Sequence, residues 1–170
     1  RRLQPFPAAY QARTTPAQAV ADLDRIEAVL AGSLLEVSLH ARDGEDTPGL
    51  RLYRPDEPIV LSEVLPLLEN LGLRIVAEEP FRIDSADNRA VWVHEFTLAP
   101  ESVPANISAD TRRRFEEALL AAWTGAVEND GLNRLVLAAG LTARQTTVLR
   151  LYSKVLRQAG STFSQDYMEE

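Results

Sequence analysis

His40 and His94 are the only histidines in this chain, and each falls in a run where apolar and polar residues alternate. A metal site at either would need a second ligand at strand or helix spacing. Glu36 and Ser38 share the face of His40, while Trp92 and Phe96 flank His94. The expectation is therefore a surface histidine at 40, a partly buried sheet-face histidine at 94, and no metal. Glu78-Glu79 and Glu116-Glu117 could be paired for proton transfer, but adjacent residues on a strand or helix point in different directions. Both pairs are expected to be solvated. Arg112-Arg113-Arg114 could hold a phosphate, yet it lies in the first turn of an expected helix, where cations are unfavourable. Acidic neighbours are expected to pair with it. Within 128–141 the most polar cluster is Asn129, Asp130, Asn133 and Arg134. Capping and helix-to-helix hydrogen bonding is its simpler role, and contact with another domain is its functional one. No residue is assigned to catalysis, cofactor binding or metal binding. Lys154 is the one lysine, no G-x-G-x-x-G or Walker loop occurs among the 8 glycines, and cysteine is absent. Dinucleotide cradling, disulfides and thiolate chemistry are thus not encoded by motif.

The elements that must position these residues fall into two groups. Thr15 is a plausible N-cap with Pro16 at the first helical position, and Ala19, Leu23, Ile26, Val29 and Leu30 trace a helical face ending at Gly32. Leu35, Val37 and Leu39 alternate with polar residues as a half-buried strand does. Asp43 to Gly49 reads as a turn, and Leu50 to Tyr53 as a second strand. A helix from Ser62, with Pro66 in or near its first turn, stops at Gly72. Strands follow over Leu73 to Glu79 and Val91 to Leu98. The order is helix, strand, strand, helix, strand, strand. Moving the first strand of a ferredoxin-like unit to its end gives this order; a strand hidden in Phe6 to Tyr10 would instead restore the ordinary one.

After Pro104 the pattern is helical. Ser108 caps a helix that carries Phe115, Ala118, Leu119, Ala122, Trp123 and Ala126 on one stripe. Asn129-Asp130-Gly131 breaks it. A short run, Leu132 to Ala139, stops at Gly140. Thr142 and Gln145 have capping-box spacing for a last helix that should bury Val148, Leu149, Tyr152, Val155 and Leu156 and end near Gly160. Trp123 is expected in the core or an interface.

With 45% apolar residues, 170 residues suffice for one ordinary domain or two small lobes. The formal charge of −7 argues against a nucleic-acid or anionic-membrane surface. No apolar run is long enough to cross a bilayer. Arg1 rather than Met opens the chain, and Glu170 falls inside a helix expected from Ser164, so both ends are expected to lie within a longer polypeptide.

The string Glu128-Asn129-Asp130-Gly131-Leu132-Asn133-Arg134-Leu135-Val136-Leu137-Ala138-Ala139-Gly140-Leu141, with Leu149-Arg150, Tyr152, Leu156-Arg157-Gln158-Ala159-Gly160 and Phe163-Ser164-Gln165, resembles the very large bacterial NAD-dependent glutamate dehydrogenases. Leu61 to Arg74 resembles the same family. The resemblance implies the N-terminal, non-catalytic side of such an enzyme. It implies residues 1–15 as a linker or arm, an ACT-like α+β lobe at 16–99, and a helical motif at 105–170 leading toward a catalytic domain. The fold class expected is α+β, an antiparallel four-stranded sheet with two helices, followed by an all-α segment. The function implied is regulation or assembly of an enzyme converting glutamate, NAD and water to 2-oxoglutarate, ammonium and NADH. The alternative is an amino-acid-sensing ACT domain holding a small effector between sheets. The family's catalytic lysines have no counterpart here. NAD is expected in the parent enzyme and no cofactor in this segment. Expected partners are the remainder of the parent chain and other subunits in a homo-oligomer, in the cytoplasm.

Overall fold

A computed structural model describes residues 6–41, 48–104 and 107–160. The core of the expected turn at 43–47 and the helix expected from Ser164 lie outside them. The chain divides into two compact units, one of Arg1–Leu61 and Val76–Pro100, the other of Ser62–Ile75 and Glu101–Glu170.

The first unit opens with α1, Ala8–Arg13, and α2, Pro16–Ala31. The Thr15 hydroxyl accepts from Gln18 N and Pro16 stands in the first turn, so the N-terminus of α2 is built as its sequence indicated. Phe6 to Tyr10 does not supply a strand. Instead Tyr10 of α1 stacks on Phe6, with ring centroids 4.7 Å apart, and meets Phe81 edge-on at 5.6 Å.

Strands β1 (Glu36–Ala41), β2 (Pro48–Pro55), β3 (Ile75–Asp84) and β4 (Ala90–Leu98) form one antiparallel sheet in the order β1-β2-β4-β3. The permuted ferredoxin-like arrangement requires that order: β4, the displaced strand, sits inside the sheet and neighbours β3, to which a hairpin joins it. At the hairpin Ser85 N donates to Arg89 O at 2.8 Å, and Asn88 takes a positive φ of 61°. Both β2 and β3 run further than the apolar alternation suggested. Register places Arg51 opposite Glu95, Tyr53 opposite Val93, and Leu52 opposite His94. Side chains alternate across a strand, so Arg51, Tyr53, Val93 and Glu95 share one face while Leu50, Leu52, His94 and Phe96 share the other. On the first face Ile26, Val29 and Leu30 of α2 join Tyr10, Tyr53, Phe81, Ile83, Val91 and Val93 in a continuous core.

The second unit contains α3 (Leu61–Asn70, apart from Leu61), α4 (Ala109–Trp123), a 3-10 turn at Gly131–Arg134, α5 (Leu135–Ala139) and α6 (Ala143–Gln158). Pro66 lies inside α3 rather than in its first turn. Ser108 caps α4 by accepting from Thr111 N at 3.0 Å, and Gly140 ends α5 at φ 65°, a backbone angle that favours glycine. Thr142 and Gln145 close a reciprocal capping box at the start of α6. Trp123 is half-buried. The last helix departs from expectation: Val148, Leu149, Tyr152, Val155 and Leu156 are all exposed, Tyr152 by 64%. Its buried residues are Thr146 and Arg150, so the polar side of α6 faces inward.

Candidate functional site

Two polar centres are buried where chemistry or recognition could reside, one in each unit. The first is built on β2. Arg51 stands between Leu50 and Leu52 on a strand whose central residues are all buried, and the residue is 3% exposed. It donates from Nη1 to Asp22 and from Nε to Glu95, and from Nη2 to Thr14 Oγ1 at 3.2 Å. Asp22, on the sheet-facing side of α2, also accepts from Tyr10 OH, from Tyr53 OH at 2.7 Å and from Gln18 Nε2 at 3.0 Å. Four donors on one carboxylate satisfy its acceptor capacity, the condition for keeping a charge in a core. Glu95 completes the centre through His40, whose Nε2 lies 3.3 Å from Oε1. Gly49, opposite His40, makes that approach feasible, since a Cβ there would come within 2.6 Å of His40 Nε2.

The electrostatics follow from this wiring. Burial alone would lower the Arg51 pKa, but Glu95 and Asp22 carry it above its ordinary value. Burial would likewise raise Glu95; His40 and then Arg51 draw it below the usual carboxylate range. Tyr10 and Tyr53 are pushed up by burial and then by the Asp22 carboxylate, so both hydroxyls stay protonated donors. A locked set of this kind holds protons in place rather than moving them.

Beside this centre a cleft of about 260 Å³ is lined by Arg13, Ala77, Glu78, Glu79, Glu95 and Thr97. Arg13 Nε and Glu79 Oε2 stand 3.4 Å apart on its wall, both substantially exposed.

The second centre is Arg150 of α6, 4% exposed. It pairs in bidentate fashion with Asp130, Nη2 reaching Oδ1 at 2.8 Å and Nε reaching Oδ2. The same Nη2 donates to Asn133 Oδ1 at 2.8 Å and Glu128 O at 3.3 Å. Asp130 Oδ1 also caps the 3-10 turn at Leu132 N, and Asn133 Nδ2 donates to Glu128 O at 3.0 Å. Arg134 Nε donates to Gly131 O, and Asn129 Oδ1 accepts from Asn70 Nδ2, each at 3.0 Å. Of the four residues singled out in the sequence, Asp130 and Asn133 thus meet on one guanidinium, while Asn129 and Arg134 turn to other partners. Arg150 itself was visible only as part of a resembling string.

Other expectations resolve plainly. Arg113 pairs with Asp110 at 2.6 Å and Glu117 at 2.8 Å, and Arg114 pairs with Asp110 at 2.5 Å, so acidic neighbours answer two of the three arginines in the run. Glu78 and His40 are corrections. Glu78 is not solvated but sits 2.6 Å from His94 Nδ1, and His40 is half-buried beside Glu95 rather than on the surface. His94 is buried, with Nε2 accepting from Ile59 N at 3.0 Å. Among the described residues no group of three or more His, Cys, Asp or Glu side chains could hold a metal ion.

A permuted ferredoxin-like sheet joined to a capped helical run defines an ACT-like domain with accessory helical motifs. Comparison with known families gives three matches: residues 35–111 match the glutamate dehydrogenase ACT3 domain, 127–170 its helical motif 3, and 1–29 its helical motif 2. The chain belongs to the glutamate dehydrogenase family as a segment of its large NAD-specific form. It is 38% identical over 166 residues to an NAD-specific glutamate dehydrogenase of Halomonas elongata. It is 36% identical to proteins of that name from Mycobacterium tuberculosis and Pseudomonas aeruginosa. Each match covers 96% of this chain but 10% of the relative's length.

The described residues do not form the parallel, glycine-turned strand–helix unit that cradles a dinucleotide. The sheet is antiparallel, and residues 56–60, which lead from β2 into α3, contain Pro58 and no glycine. Backbone therefore cannot approach a pyrophosphate there as a dinucleotide fold requires.

Proposed function

We propose that this chain is a non-catalytic regulatory and assembly module of an enzyme that oxidises glutamate to 2-oxoglutarate and ammonium with NAD. The observation that carries the reading is the contrast between match and content. Nearly the whole chain aligns with about a tenth of NAD-specific glutamate dehydrogenases, while its buried ionic groups are spent on one another. NAD and glutamate then bind elsewhere in the parent chain, in the cytoplasm. No helix of the described residues is long and apolar enough to cross a membrane. In this reading residues 16–99 serve as the ACT-like lobe and 105–170 as the helical motif; the four-stranded sheet within 36–98 supports the first. Asn129 and Arg134, exposed at the surface of the 3-10 turn, are the members of the polar cluster offered to the rest of the parent. Edge strands β1 and β3 offer backbone for pairing between subunits of a homo-oligomer. The test is fluorescence of Trp92 and Trp123 in the 170-residue chain with increasing NAD. No saturable change and no glutamate-dependent NADH production are expected; saturable binding overturns the reading.

A second reading, sensing of an amino-acid effector, is favoured by the cleft. Arg13 and Glu79 could exchange their mutual contact for the carboxylate and ammonium of a zwitterion. Calorimetry with a panel of amino acids tests it, and heat lost in Glu79→Gln is the expected signature.

A further inference from the structure

The hydrogen bonds of His94 require one protonation state. Its Nε2 accepts from Ile59 N at 3.0 Å, a role that excludes a proton on that nitrogen. The proton of the neutral ring therefore sits on Nδ1, which donates to Glu78 Oε1 at 2.6 Å. A second proton would set a ring N–H against a backbone N–H, two donors with no acceptor between them. His94 is 2% and Ile59 4% exposed, so water cannot stand in for the lost acceptor while both stay in place. The contact must open.

The surroundings decide which side yields. Among the described residues the charged groups acting on the ring are Glu78 of β3, which favours the imidazolium, and Arg54 of β2, which repels it. On β4 itself the rings of Trp92 and Phe96 flank it, each with its centroid 6.4 Å away. Strand β4 is paired on both sides, whereas residues 56–60 belong to no helix or strand. A charged ring thus stays anchored to Glu78, and the connector gives way. That connector is also held by Arg54, whose Nη1 donates to Pro58 O at 3.0 Å and which lies 3.6 Å from Glu57. After Leu61 the chain leaves the first unit. We propose that His94 is an acid-released latch: its neutral ring holds Ile59, and taking up a second proton frees residues 57–60, the stretch by which the chain leaves the sheet. The latch is a property of the first unit's own geometry and does not depend on which enzyme carries it.

Nuclear magnetic resonance of the isotope-labelled 170-residue chain tests it. Near neutral pH the His94 ring nitrogens should report the Nδ1–H tautomer; the other tautomer, or a charged ring there, overturns the proposal. The pH is then lowered from about 7.5 to about 5, across the ordinary histidine value. Exchange of the Ile59 amide, corrected for its intrinsic rate, should accelerate by about tenfold or more, with a midpoint that follows the titration of His94. Protection that holds while the ring charges, or a ring that never charges in this range, overturns it. The accelerated exchange should be indifferent to low urea, because a local opening exposes little surface. Exchange that instead rises with urea in step with the amides of β2 and β4 is unfolding of the sheet and also overturns it. Two variants complete the test. His94→Gln keeps an acceptor for the amide and cannot charge, so Ile59 should stay protected across the range. Glu78→Gln removes the carboxylate that favours the imidazolium, so the midpoint should move to lower pH. Acceleration that survives in His94→Gln, or a midpoint that fails to fall in Glu78→Gln, overturns the assignment.

Discussion

Arg51 and Arg150 are equally buried, at 3% and 4% exposure, and both are held by carboxylates, yet they do opposite work. Arg51 lies on the sheet face that carries the apolar core of Tyr10, Ile26, Val29, Leu30 and Val93, with its guanidinium 5.7 Å from the Tyr10 ring centroid. Its partners are charged groups that apolar packing also immobilises. Arg150 has no such shell on its own helix, because the apolar side of α6 points outward. In the first unit ionic groups are an insertion into an apolar interior. In the second, a guanidinium is the means by which a helix is attached, leaving its apolar surface exposed. Burial of a charge therefore says little about purpose until the fate of the neighbouring apolar residues is known.

The largest expected effect is at Arg51. Arg51→Met keeps the volume and leaves two carboxylates, Asp22 and Glu95, without their cation. Breaking a buried pair this way costs about 3–5 kcal/mol, read as a lowered urea midpoint. Loss below about 1 kcal/mol would mean that both carboxylates are satisfied without Arg51, and the contrast with Arg150 would collapse. Arg150→Leu should cost less, about 2–3 kcal/mol, because Asp130 stands at the edge of its turn and can rehydrate. Its signature is local. Amide exchange should accelerate across residues 143–158 while β2 and β4 keep their protection. Equal loosening of the sheet would show that the two centres are not independent.

Much of this architecture was legible because it is local. The Thr15-Pro16 start, the Ser108 cap, the Thr142-Gln145 box and the Gly140 stop each involve neighbours within a turn, and each stands where the sequence put it. The element order was legible, but it allowed either a permuted unit or a first strand within Phe6 to Tyr10, and only the sheet itself selects the order β1-β2-β4-β3. The Arg51 centre was not, since Asp22 and Glu95 are 29 and 44 residues away from it. A signal existed all the same: Asp22 interrupts the apolar face of Ala19, Ile26 and Val29, and an arginine interrupts the run Leu50 to Tyr53. The inversion of α6 could not be read at all. Periodicity gives the direction of an apolar stripe around a helix axis, but not whether that stripe points into the domain that carries it.

The smallest effect, and the sharpest test of unit independence, is titration of His94. In the fold its Nε2 accepts the Ile59 N–H and its Nδ1 faces Glu78, which fixes a neutral ring. Burial lowers its pKa below the ordinary 6.5, with Arg54 acting in the same sense and Glu78 opposing both. The unfolded chain therefore binds more protons than the folded one below about pH 6.5. Stability is fully present above that value and falls as pH drops through the window beneath it, by at most about 1.4 kcal/mol per pH unit for one group. Glu95 adds a loss of the same sign only below its ordinary 4.5, so the two windows separate. His94→Gln, which keeps an acceptor for Ile59 N–H, should flatten urea midpoints between pH 7 and pH 5. Trp92 on β4 and Trp123 on α4 report the two units in single-tryptophan variants. The pH-dependent step should appear in the Trp92 signal with Trp123 unmoved. A step shared by both would tie Arg150 and its outward-facing helix to the folding of the sheet.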